Sequence, residues 1–189
     1  MKPIFCAYTV FIITAIIIIS TSCTKKKGDV NSPNTVYNNI TDEQLYKMAM
    51  GTGFTYYKNN ADTLPFTPGG GGHGGFVRVR FNATAQAALG SDGKLPEGKA
   101  FPDGSLVVKE IYKQKGGALS YIAIMYKSSK DANSGNNWVW GEYSADGSGG
   151  TRVAGKGTSC INCHSITATN SPVKGDLGNR DLVRYFGLR

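Results

Sequence analysis

The chain has 189 residues, is 40% hydrophobic and carries 21 Lys and Arg against 13 Asp and Glu, a formal net charge of +8. One composition regime over that length describes a single domain behind an export segment. No nucleic-acid-binding module accompanies the basic charge, which suits an acidic redox partner protein or an anionic membrane surface, or simply keeps the protein soluble.

In chain order, residues 1–22 read as a signal rather than as part of the fold. Lys2 gives a short basic start, Ile4 to Ile19 an apolar run, and Ser20-Thr21-Ser22 small residues ahead of Cys23. This is a bacterial secretory signal of lipoprotein type, with Cys23 as the acylated residue and the body facing the periplasm or cell surface from a lipid-anchored position. An uncleaved N-terminal membrane anchor is the alternative, and Lys25, Lys26 and Lys27 just beyond the apolar run argue mildly against export in that orientation. Residues 23–40 form a polar tether, and residues 41–189 form the folded domain.

The domain begins with Thr41-Asp42-Glu43-Gln44, a capping-box arrangement that launches a short helix to Met50, ended by Gly51. Phe54 to Tyr57 form a short strand. Beyond a glycine-rich loop around His73, Phe76 to Phe81 alternate cleanly as a strand, and Asn82 caps a helix from Ala83 to Leu89. A turn at Pro102-Asp103-Gly104 leads into Leu106 to Tyr112, which pairs as a hairpin with Leu119 to Tyr126. Trp138 to Tyr143 is a further strand. The fold class is therefore α+β, an antiparallel sheet with a few short helices.

Cysteine accounting identifies the chemistry. Of four cysteines, Cys6 leaves with the signal and Cys23 is the lipid site, so Cys160 and Cys163 remain, followed at once by His164. Two thiols at this spacing add to the two vinyl groups of one haem, and the adjacent histidine reaches the iron as axial ligand. The expected cofactor is one covalent haem c. A disulfide would leave His164 unexplained. A thioredoxin-like pair would need more βαβ chain downstream, and a zinc site would need four ligands where only His73 is left to add.

No methionine follows His164, so the sixth iron ligand comes from the upstream region or the position is open to a small molecule. His73 is a candidate ligand, although a histidine in a glycine loop is more often a hydrogen-bonding or solvent residue. Arg78 and Arg80 could hold an anionic ligand or a haem propionate, but alternating arginines more often form a solvated face. Phe76, Phe81, Phe101, Trp138 and Trp140 are packing residues first and pocket residues second.

His73-Gly74 before an alternating strand, Phe101-Pro102-Asp103-Gly104-Ser105 leading into Val107-Val108-Lys109-Glu110, the Trp138-Val139-Trp140 strand and the late haem motif together resemble the cytochrome P-460 and cytochrome c′-beta family. The resemblance implies a sheet-rich homodimer, with the motif histidine on a five-coordinate haem. One branch of that family oxidises hydroxylamine and bonds a lysine to the haem edge; the other binds nitric oxide without such activity. Lys109 aligns with the cross-linking lysine, and its place between Val107 and Ile111 on one strand face favours the neutral, nucleophilic amine. Pairing with Glu110 is the structural alternative. The oxidising branch also implies a distal acid, for which Asp131 and Glu142 are candidates. The expected function is binding or oxidation of a small nitrogen species at an open distal site, and a membrane-tethered electron-transfer cytochrome is the alternative.

Overall fold

Strict two-residue alternation in the central strands, with both sets of side chains buried, organises the fold. The computed structural model describes residues 36–57, 64–65, 73, 75–170 and 178–184. The export segment and Cys23 lie outside them. No helix among the described residues is long and apolar enough to cross a membrane.

The elements are α1 (Asp42–Ala49), β1 (Thr55–Tyr56), β2 (Leu64–Pro65), β3 (Phe76–Phe81), α2 (Ala83–Ala87), β4 (Leu106–Tyr112), β5 (Leu119–Lys127), β6 (Trp138–Ser144), β7 (Gly150–Arg152), α3 (Thr158–His164), β8 (Asn179–Arg180) and β9 (Val183–Arg184). Seven strands form one antiparallel sheet in the order β1-β3-β4-β5-β6-β7, with β2 also paired to β3, while β8 and β9 make a separate hairpin. The α+β class expected from the sequence is the class observed. The differences are at the ends. β2, β7 and the β8–β9 hairpin are too short to carry a periodic signal, and the hairpin follows the Cys160-Cys163-His164 segment.

Local chemistry explains the boundaries. The Thr41 hydroxyl accepts from the Gln44 amide and the Gln44 side chain accepts from the Thr41 amide, a reciprocal cap that starts α1. Asn82 ends β3 and starts α2. Its carbonyl oxygen accepts from the Ala85 and Leu106 amides, while its amide donates to the Gly104 carbonyl. One side chain thus ties a helix start, a turn and the entry to β4.

Each sheet face has its own core. On one face, Leu45 and Ala49 of α1 pack with Val108, Ile122, Ile124, Val139 and Tyr143. On the other, Val79, Phe81, Val107, Ile111, Met125, Trp138 and Trp140 are buried with Leu182 and Val183 of the hairpin, and Cys160 and Ile161 of α3 pack against them. Phe101 stacks near Phe81, with ring centroids 6.4 Å apart, and meets Trp138 edge-on at 5.8 Å. Phe81, Trp138 and Trp140 are core residues, as their strand positions suggest, and Phe101 joins them from the chain before β4.

Arg78 and Arg80 behave differently from either expectation. They lie on the α1 side, where Glu110 is opposite Arg78 in the β3–β4 register. Glu110 accepts from Arg78 at 2.6 and 2.7 Å, is 2.9 Å from Arg80 and accepts from the Tyr112 hydroxyl at 2.9 Å. Arg80 also donates to the Ala49 carbonyl and lies over the Phe54 ring. This is a buried ion-pair cluster, neither a solvated face nor an anion site, because α1 and the chain after it cover the strand. Glu110→Ala would strand two cations in that layer. It is expected to lower the unfolding free energy by about 3–5 kcal/mol, measured by urea denaturation.

Candidate functional site

Cys160, Cys163 and His164 occupy positions i, i+3 and i+4 of α3, so the helix presents all three on one side. Its start depends on Gly157, which caps the helix at φ 73°. A Cβ there would strike the Trp140 indole, so only glycine lets the helix come down onto β6. Trp140 then meets the His164 ring nearly edge-on, with centroids 5.1 Å apart.

α3, β9 and the sheet line a pocket whose empty space, open solvent included, is about 480 Å³. Val79, Val107, Ala123 and Met125 form its apolar wall, and His73, Lys109, Glu142 and His164 supply polar groups. Cys160 also lines it. Both cysteines are free thiols. Burial raises the Cys160 thiol pKa. Among the described residues no group of three or more His, Cys, Asp and Glu side chains is arranged to hold a metal ion.

His164 Nδ1 lies 2.7 Å from the Leu182 carbonyl oxygen. A carbonyl can only accept, so Nδ1 carries the proton and Nε2 keeps its lone pair, the tautomer that an iron ligand requires. Burial first, then Lys109, lowers the His164 pKa to about 3, which keeps the ring neutral. Paired free thiols, a neutral histidine of defined tautomer and an apolar cavity beside them suit a c-type haem.

The family comparison agrees. The sequence profile described as cytochrome P460 matches residues 57–174, well over half of the chain. The chain belongs to the cytochrome P460 family. As a member it is a c-type haem protein, a class that can act on hydroxylamine. No curated protein matches the chain.

Within this P460 domain the other expected site residues separate. Lys109 lies between Val79 and Ala123 in register, on the cavity face. Its side chain is partly buried and lines the cavity. Desolvation is the main cause of its pKa falling to about 8. Glu110, the alternative partner, points to the opposite face. Glu142 lines the cavity with a side chain 49% exposed, and its carboxylate is 3.8 Å from Nδ1 of the largely buried His73. Asp131 does not line the cavity. It is buried in the loop before β6, where it accepts from the Ile40 and Asn133 amides and so organises that loop and the approach to α1.

His73, the candidate sixth ligand, lies close to His164. Its ring centroid is 6.3 Å from that of His164 and 6.4 Å from that of Tyr121. Nothing in its glycine-rich surroundings signals this, since the contact joins a loop to a helix 91 positions on. Desolvation, then Lys109, depresses its pKa to about 3. A histidine near 6.5 when unfolded and near 3 when folded binds more protons unfolded, so stability is lost as pH falls from 6.5 towards 3. His73→Gln is expected to remove up to about 1.4 kcal/mol per pH unit of that loss, read as the difference between wild-type and variant urea midpoints across the window.

Proposed function

We propose that this cytochrome P460 protein holds one haem through thioether bonds to Cys160 and Cys163 and an axial bond to His164, and that its open distal site binds or oxidises a small nitrogen species, hydroxylamine or nitric oxide. The observation that carries the reading is the shared cavity, which sets the desolvated Lys109 amine and the neutral His164 in one apolar enclosure. When bound, the haem supplies an iron site for a small ligand and a change of redox state. The chain's own residues do the rest. His164 is oriented through Nδ1. Lys109 presents an amine that is largely neutral above pH 8, the form able to bond to a haem edge. Val79, Val107 and Met125 exclude water. Glu142, half exposed where it lines the cavity, holds a proton-accepting carboxylate between the cavity and solvent.

The same proposal places the protein outside the cytoplasm, tied to a bacterial membrane through Cys23, working as a homodimer and exchanging electrons with a partner protein. A membrane-tethered electron carrier is the second reading, favoured by one observation. His73 shares the cavity with His164 at 6.3 Å between ring centroids, and a second axial histidine would close the iron to ligands.

The optical spectrum of the purified ferrous protein separates these readings. A Soret band displaced far to the red in wild type, returned to an ordinary c-haem position by Lys109→Ala, is the outcome expected of the hydroxylamine-oxidising form. An ordinary five-coordinate spectrum that responds to nitric oxide, unchanged by Lys109→Ala, marks the binding form. A six-coordinate spectrum that becomes five-coordinate and nitric-oxide-responsive only in His73→Ala marks the carrier. Absence of haem absorbance overturns the assignment.

A further inference from the structure

The turn that bears the carbonyl partner of His164 is an unusual support. Asp181 and Leu182, the two residues between Arg180 and Val183 of the β8–β9 hairpin, have φ of 50° and 68°. Two-residue hairpin turns favour such angles, normally with Asn, Asp or Gly first and Gly second. Here the second position is a buried leucine, for which the left-handed region costs roughly 1–2 kcal/mol. Something else must hold the turn.

The Asp181 carboxylate provides the hold. Lys127, at the end of β5, donates to both of its oxygens at 2.9 and 2.7 Å, and the Phe101 amide donates to one of them at 2.8 Å. The lysine side chain is 6% exposed and the aspartate 15%, so water screens the pair weakly. The Lys127 ammonium also lies over the Trp138 ring, 4.8 Å from its centroid. Asn179 adds a tie at the hairpin's start, donating to the Ser165 and Ile166 carbonyls just past α3. The strained turn is thus fixed to the sheet on one side and to the end of the haem-motif helix on the other.

We propose that the Lys127–Asp181 pair is a positioning device for the proximal histidine. It fixes the Leu182 carbonyl against His164 Nδ1 and thereby sets how strongly Nε2 donates to iron. The inference rests on His164 being the axial ligand. Neither Lys127 nor Asp181 lines the cavity, so the pair acts through the turn and not on a bound ligand. A tight Nδ1–H···O=C bond makes the imidazole a stronger donor and favours the ferric state. Loosening it raises the reduction potential.

The test is spectroelectrochemical titration of haem-loaded wild type, Asp181→Asn, Lys127→Gln and the double variant. Positioning predicts a rise in potential in both single variants and no further rise in the double variant, because one constraint is lost once. A through-space charge effect predicts opposite signs, since one substitution removes a negative charge and the other a positive one. Lys127→Arg should restore the wild-type value. Opposite shifts, or unchanged potentials with only a lower unfolding midpoint, overturn the proposal. If Asp181→Asn accumulates no haem-loaded protein, Lys127→Gln carries the test, because it leaves the Phe101 bond to Asp181 in place. A potential that stays at the wild-type value in His164→Met would instead sink the ligand assignment beneath the proposal.

Discussion

The central strands are buried on both faces, and the rest of the molecule answers that requirement. On the α1 side protein alone completes the layer, with Leu45 and Ala49 closing over Val108, Ile124 and Val139. On the other side the covering elements are short: α2, α3 and a hairpin of two-residue strands. They cover the edges of that face and leave a cavity over Val79, Val107, Ala123 and Met125. A family that carries a c-type haem can fill such a gap with a flat, largely apolar group where another protein would place a helix.

Adjacent positions on β4 show two ways of taking charge out of water. Glu110 faces the α1 side and is neutralised by Arg78 and Arg80, with the Tyr112 hydroxyl completing its shell. The charges persist because partners replace water. Lys109 faces the cavity among Val79, Val107 and Ala123, and the protein responds by lowering its affinity for a proton. The first arrangement serves the fold, and the second leaves reactive chemistry where a cofactor would lie.

Much of this was readable in advance, for reasons that differ by element. β3 was visible from its two-residue alternation, β4 to β6 as β-branched and aromatic runs set off by turns, and α1 and α2 because Thr41 and Asn82 mark their starts. The Cys160-Cys163-His164 spacing needs no tertiary information. By contrast, the Arg78–Glu110–Arg80 cluster depends on strand register and on the chain that covers it, so alternating arginines looked solvated. Asp131 carried the right chemistry for a distal acid, yet its loop turns it towards Ile40. The partners of His164 and Asp181 lie 18 and 54 positions away in sequence, and the turn has a leucine at its second position, where glycine usually marks such turns.

The order of elements along the chain has a consequence for assembly. The sheet is complete by Arg152, and the segment bearing Cys160 and Cys163 follows it. The piece that closes behind His164, residues 178–184, comes last. The two faces can therefore be laid down while the thiols are still approachable, and the Leu182 carbonyl arrives only when the hairpin docks. The support behind His164 is in this sense a latch, whose final click is the seating of Asp181.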